Sequence, residues 1–307
     1  MPVLARIRAS KFVPFVSAVA YSKATGQRHK VGVRGALHPL ALCCNLDFGW
    51  RKSHSLCMTI KNEADLVAMR RIGRLCGDIR DAMCAAAEPG MTTAELDDMG
   101  RAMLDAAGAI SAPEGEYGFP GATCISVNEV VAHGIPGPRV LQTGDLVNVD
   151  VSASLNGYFA DTGASFVLGG FEASRPEIKK LCEDGRKVMM RAVRTVRHGT
   201  PLREIGLTVE NFARKNGYTL IRNLASHGVG RSLHEEPATI ATWDDPRERR
   251  TLKKGQVITI EPFLSLGSEW ATEDKDDGWT LYADTGAPTV QYEHSIVVTA
   301  KGYEILT

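Results

Sequence analysis

The sequence predicts an α+β fold in which helices cover antiparallel strand pairs. Three observations carry that expectation. Four segments repeat apolar residues at three- and four-residue steps, the period of an amphipathic helix. Two strand-like runs, 146–155 and 158–168, flank Asn156-Gly157, the strongest short hairpin signal. A doubly wound parallel sheet is disfavoured, because neither a glycine-rich phosphate fingerprint nor a regular strand–helix–strand series is present.

Each element has a local reason. Leu66, Met69, Ile72, Leu75, Ile79 and Met83 form one apolar stripe, and Pro89-Gly90 must end that helix. Thr92 and Glu95 have the spacing of a capping box before Leu96, Met99 and Met103, with Gly108 as the stop. Ser174 and Glu177 repeat that box ahead of a helix through Ile178, Leu181, Val188 and Val193 as far as Gly199. A fourth helix follows Pro201 and ends near Asn216-Gly217. Further strands are expected over 256–263 and 290–298.

Composition narrows the classes. The chain has 307 residues, 44% of them apolar and 23% charged, as a globular protein with a sizeable core requires. No apolar run approaches the roughly 18–20 residues of a membrane helix. Thirty-six basic and 36 acidic residues balance, which gives no support to a DNA binder working through bulk charge. The balance hides an asymmetry: residues 1–57 hold nine Lys or Arg and one acid, leaving 27 basic against 35 acidic residues beyond. Three readings of 1–57 compete: a disordered extension, a transit-like presequence, or sequence upstream of a start at Met58. The last is favoured, because organised patterning begins immediately after Met58. Seven cysteines without a C-x-x-C fit a reducing cytosol. Cys43, Cys44, His54 and Cys57 match no standard zinc spacing.

The informative residues are acids in strands. A two-residue turn at Asn156-Gly157 sets Asp150 opposite Gly163 and Asp161 opposite Ser152. Strand side chains alternate in direction, so both aspartates point to one side, roughly 7–8 Å apart as diagonal neighbours. Glu261 closes the run from Val257 to Ile260, and Glu293 interrupts 290–298. Strands disfavour Glu, and a buried acid needs a partner or a metal. Any one of the four could simply face solvent; all four, with Gly-flanked His227 among them, point to a cation site. Four carboxylates balance two divalent cations, and one imidazole makes five ligand side chains. Oxygen-rich ligation suits Mn²⁺, Co²⁺ or Fe²⁺, with Zn²⁺ admissible.

These residues and their surroundings resemble type I methionine aminopeptidases. The resemblance runs through 124–136, 145–150, Asp161-Thr162, 227–237, 260–262 and 291–294, in the family's order, and covers essentially Met58 to Thr307. It implies the pita-bread fold, two pseudo-symmetric halves around a central antiparallel sheet, in a catalytic domain over 58–307. It implies Asp150, Asp161, His227, Glu261 and Glu293 as ligands of two divalent ions, with Asp161 and Glu293 bridging. It places His133 at the scissile amide nitrogen and His234 at the carbonyl oxygen, and makes Glu261 the proton acceptor. It lines a methionine slot with Phe119, Cys124, Leu233 and Trp279, for which ordinary core packing is the alternative.

The implied activity is removal of the initiator methionine from nascent chains with a small second residue, at the ribosome, by a cytoplasmic monomer with no DNA or membrane partner. The chain departs from familiar bacterial members at Glu116-Tyr117-Gly118-Phe119 and in the acidic segment 270–279, expected to be a solvated loop. Two rivals remain: a proline-directed peptidase of the same fold, and a pita-bread protein that binds partners without catalysis. The stretch 124–136 argues against the first, and the complete ligand set against the second.

Overall fold

The computed structural model describes residues 60–307. The expectations for 1–57, including the zinc spacing, lie outside the described residues, as does the boundary at Met58. Among the described residues no helix is long and apolar enough to cross a membrane.

Five helices form where local chemistry starts and stops them. α1 (Glu63–Ala86) is capped by Asn62, whose side chain accepts from the Asp65 amide at 3.0 Å. α2 (Thr93–Ala107) opens on the expected capping box, with Thr92 and Glu95 exchanging hydrogen bonds at 3.1 and 2.7 Å, and stops at Gly108 with φ 67°. α3 (Ala112–Tyr117) was not expected; its six residues are too few to show a period, and Ser111 and Gly118 cap it. α4 (Pro176–Val193) corrects two expectations. The Ser174 box does not form, because Pro176 takes the first turn, where its fixed φ is favourable. The helix also ends at Val193, before Gly199. α5 (Leu202–Asn216) follows Pro201 and ends at Gly217, as expected.

The strands are β1 (Ile110–Ser111), β2 (Cys124–Val127), β3 (Val130–Ala132), β4 (Leu146–Leu155), β5 (Tyr158–Val167), β6 (Thr219–Leu220), β7 (Ser226–Gly228) and β8 (Glu235–Ile240). Then come β9 (Val257–Ile260), β10 (Phe263–Ser265), β11 (Ala271–Glu273), β12 (Leu281–Ala283), β13 (Thr289–Gln291), β14 (His294–Val298) and β15 (Tyr303–Ile305). All named pairings are antiparallel. Four sheets result: β5 beside β4, whose other edge carries β1 and β2; β15-β14-β9-β7-β8; β13-β10-β6; and β11-β12-β3.

Two expected single strands are each broken in two. The run 256–263 divides at Glu261-Pro262, and 290–298 divides at Tyr292-Glu293. On one side of each break the chain pairs in the β9–β14 ladder, on the other in the β10–β13 ladder. Proline cannot donate to a ladder, and it marks the point where the first chain changes sheets. The segment 270–279, expected as a loop, contributes β11 to a hairpin whose turn Asp277 ties to Thr280.

Two cores pack the helices onto the sheets. Val147, Val149, Val151 and Ala153, alternate residues of β4, meet Met69, Ile72, Ile79 and Met83 of α1 and Leu96 and Leu104 of α2. Ile258, Ile260, Ile296 and Val298 of β9 and β14 meet Leu181 and Val188 of α4 and Ile205 and Val209 of α5. Each such side chain contributes about 1.5–3 kcal/mol when fully buried. The alternation sends Asn148, Asp150 and Ser152 to the opposite face of β4, away from α1 and α2.

The two halves meet along β5. The Asp161 amide donates to Ser295 Oγ at 3.0 Å, and that hydroxyl donates to the Asp161 carbonyl at 2.8 Å. The Glu293 amide donates to the Gly163 carbonyl at 2.9 Å, and Thr162 Oγ1 donates to the Glu293 carbonyl at 2.8 Å. The last residues dock on α1 at Gly73, where an added Cβ would lie 2.6 Å from Leu306 Cβ and from its carbonyl oxygen. Gly73→Ala is therefore expected to cost about 1–3 kcal/mol by overpacking, read as a lower urea midpoint at unchanged m-value.

Candidate metal centre

The hairpin register is the one the turn demanded. Asn156 and Gly157 both take positive φ, 54° and 75°. Asp150 pairs with Gly163 and Ser152 with Asp161. On the other half, His294 pairs with Ile260, so Glu261 and Glu293 occupy the next rung, where both chains leave the ladder. β7 places His227 beside β9 through the Gly228–Ile258 pairing.

Ligand atoms of Asp161, His227 and Glu293 lie within 4.8 Å of one another. His227 Nε2 lies 3.7 Å from Asp161 Oδ2 and 3.5 Å from Glu261 Oε1. Asp150 joins through Gln291, whose Nε2 donates to Glu293 Oε2 at 3.0 Å and to Asp150 Oδ2 at 3.4 Å. Residue exposure is 1% at Glu293, 4% at His227 and 7% at Asp161. Asp161, His227 and Glu293 thus form a buried cluster, which Glu261 meets through His227 and the partly buried Asp150 through Gln291.

The surroundings fix each group. Ser152 Oγ donates to Asp161 Oδ1 at 2.6 Å, and Thr259 Oγ1 donates to Glu261 Oε1 at 3.2 Å. His227 Nδ1 lies 2.9 Å from the Gly228 carbonyl oxygen. A carbonyl only accepts, so Nδ1 carries the proton and Nε2 keeps its lone pair toward the carboxylates.

The centre is electrostatically unbalanced by itself. Burial, then the neighbouring Asp161, pushes the Glu261 carboxyl well above the usual range. Burial followed by Asp161 and Glu261 does the same to Asp150 and Glu293; Arg80 eases Asp150 least of these effects. Burial holds the His227 imidazole below its ordinary value. Glu293 Oε1 is buried with no hydrogen-bond partner. A carboxylate oxygen left so costs 1–3 kcal/mol or more unless a cation takes it. The donor set, four carboxylates and one imidazole lone pair, thus fits hard or borderline divalent cations.

The other expected residues surround this centre. His133 follows β3 with a left-handed φ of 53°, a conformation rare for a side-chain-bearing residue and often found at working sites. The residue is exposed, and partial desolvation lowers the basicity of its imidazole. His234 lies against His227, with ring centroids 4.1 Å apart. His234 is solvent-accessible, yet desolvation by the surrounding atoms, then His227 and His133, hold its imidazole well below its ordinary value. Phe119 and the half-buried Trp279 meet edge to face at 5.4 Å. Cys124 pairs with Asp150 across β2 and β4, and burial beside Asp150 and Asp161 keeps its thiol protonated. Leu233 is buried in the first core, so packing accounts for it as well as a slot does.

Two residues escaped the sequence reading. Gln291 stands two positions before Glu293, a spacing that shares a strand face, which was the signal available. It also explains Gly163: a Cβ there would overlap the Gln291 amide. Tyr117, conspicuous only as a departure, places its hydroxyl 2.7 Å from His234 Nδ1.

The raised carboxyls give a pH dependence with a definite sign. Between its unfolded and its higher folded pKa, each acid ionises more readily unfolded, so the metal-free fold loses stability as pH rises through that window. Added Mn²⁺ or Co²⁺ should therefore stabilise the fold, read as a rise in melting temperature, more at pH 7.5 than at pH 5.5; at a hundredfold excess over Kd the stabilisation is about 2.7 kcal/mol. Glu293→Gln should stabilise the metal-free protein at pH 7.5 and abolish the cation-induced rise, both measurable by calorimetry with and without chelator.

Comparison with known proteins agrees with this geometry. Residues 67–300 match the profile of metallopeptidase family M24. A methionine aminopeptidase of Staphylococcus epidermidis is 46% identical over 245 residues, 80% of this chain and 96% of that protein. Methionine aminopeptidase 2 of Bacillus subtilis is 44% identical over 251 residues, 81% of this chain and 99% of that protein. The crystal structure of methionine aminopeptidase from Rickettsia prowazekii superposes with a TM-score of 0.77 at 34% identity, over 81% of this chain and 99% of that one. The likeness of fold bears out the pita-bread architecture.

Proposed function

The chain belongs to metallopeptidase family M24, and on that premise we propose that it removes the initiator methionine from nascent proteins whose second residue is small, as a type I methionine aminopeptidase. The observation that carries this reading is the buried cluster of Asp161, His227 and Glu293, with its unpartnered Glu293 oxygen, beside which Asp150, Glu261, His133 and His234 stand. The names of relatives 44–46% identical over most of the chain support the substrate.

The five side chains would hold two divalent cations; Mn²⁺, Co²⁺, Fe²⁺ and Zn²⁺ all suit such donors. When bound, the pair supplies Lewis acidity and a water acidic enough to attack at neutral pH. Glu261 would accept the proton of the attacking water. His133 contacts the scissile amide nitrogen. His234 donates to the carbonyl oxygen as it gains charge in the tetrahedral intermediate. Both imidazoles are open to a substrate, and partial desolvation by the surrounding protein holds both below their ordinary value. Phe119 and Trp279, with Cys124 and Leu233, receive the methionine side chain. A bulky second residue would clash at the mouth of the centre, and an internal bond lacks the free α-amine that anchors the substrate. The partner is a nascent polypeptide, on or leaving the ribosome in the cytoplasm, and one protomer contains every residue invoked.

Protein stripped of metal should release no methionine from Met-Ala-Ser and regain activity when single divalent ions are returned. Glu261→Gln should lower kcat about 100-fold or more. Cleavage of Xaa-Pro dipeptides in place of Met-Ala-Ser would overturn the assignment.

A further inference from the structure

Two imidazoles stand side by side in the centre and must do different work. His227 and His234 have centroids 4.1 Å apart with an interplanar angle of 40°. Each has its Nδ1 engaged, but by groups of opposite character. At His227 the partner is the Gly228 carbonyl, an obligate acceptor, at 2.9 Å. At His234 the partner is the Tyr117 hydroxyl at 2.7 Å. A phenol is a stronger acid than a neutral imidazole N–H, and a bare imidazole nitrogen is a better acceptor than a phenol oxygen. Partial desolvation, with Glu116 and Asp161 nearby, pushes the Tyr117 hydroxyl further up, so it retains its proton.

We infer that Tyr117 is a positioning residue whose hydroxyl donates to His234 Nδ1, thereby fixing the ring's proton on Nε2, the nitrogen left to meet a substrate carbonyl. The two neighbouring imidazoles then hold opposite tautomers. His227 presents a lone pair and is a ligand; His234 presents an N–H and is a hydrogen-bond donor that cannot ligate without first losing its proton. The inference rests on the role proposed for His234.

The placement of Tyr117 has its own local cause. It is the last residue of α3, which Ser111 caps at one end and Gly118, with φ 73°, closes at the other. Ser111 Oγ also donates to the Ala122 carbonyl at 2.8 Å, and Asp97 accepts from the Ala122 and Thr123 amides at 3.0 and 2.7 Å. The short helix is therefore held at both ends, and its final side chain is aimed across to the strand-end segment that carries His234. Tyr117 remains 47% exposed, so removing one oxygen from it should leave the fold intact.

Tyr117→Phe tests this. Long-range ¹H–¹⁵N spectra of ¹⁵N-histidine-labelled, metal-free protein should show His234 protonated at Nε2 in the wild type and as a mixture of tautomers in the variant. For Met-Ala-Ser, kcat should fall about tenfold, the worth of one hydrogen bond of about 1.4 kcal/mol, with KM within about twofold and calorimetric Mn²⁺ affinity unchanged. Tyr117→His, which restores a donor, should recover part of kcat. A wild-type spectrum with the His234 proton on Nδ1, or a variant with wild-type spectrum and kcat, would overturn the inference. A wild type that releases no methionine would instead remove the functional reading, while the spectra still decide which atom of the Tyr117–His234 pair holds the proton.

Discussion

The structure depends on a repulsion. Asp150, Asp161, Glu261 and Glu293 are drawn together at the seam of two halves, where neighbouring ionised carboxyls raise one another's proton affinity. The fold tolerates this because both cores, built by α1 and α2 on one side and α4 and α5 on the other, leave one face of each hairpin free of helix packing. Backbone hydrogen bonds between Asp161 and Ser295, and between Glu293 and Gly163, then hold the carboxyl-bearing chains in register. Apolar burial supplies the stability, and the seam uses some of it to keep charges where water would otherwise disperse them.

Small polar groups distribute the strain. Ser152 and Thr259 each donate one hydrogen bond to a carboxylate oxygen, Gln291 donates to two, and Glu293 Oε1 is left without one. A centre fully satisfied by protein donors would have no need of cations; one wholly unsatisfied would not fold. Gln291 is the most constrained of these groups, because Asn148 donates to its side-chain oxygen at 2.9 Å and Gly163 makes room for it.

Legibility in the sequence followed the range of the interaction. The β4–β5 register was readable from one dipeptide, because a two-residue turn leaves no freedom in pairing. The ends of α2 and α5 were readable because caps act within a few residues. Where two local signals competed, the reading failed: Ser174 offered a cap and Pro176 offered the first turn, and the proline won. The breaks at Glu261 and Glu293 were obscured for another reason. Their chains move between ladders formed by partners far away in sequence, so each run read as one strand. The ligand types were legible from the implausibility of so many acids in strands, and their roles only from resemblance. Tyr117 was illegible as a partner of His234, because 117 positions separate them and no local pattern encodes that meeting.

The seam has a topological corollary. α1, α2, β4 and β5 precede the connection 168–175, while β7, β9, β14, α4 and α5 follow it. Each side owns only part of the proposed ligand set: two aspartates before, one histidine and two glutamates after. Were the chain severed in that connection, neither fragment could chelate as the whole does, and docking of the fragments would be thermodynamically linked to cation uptake. A protein cut there would behave as a metal-gated heterodimer made from a single gene.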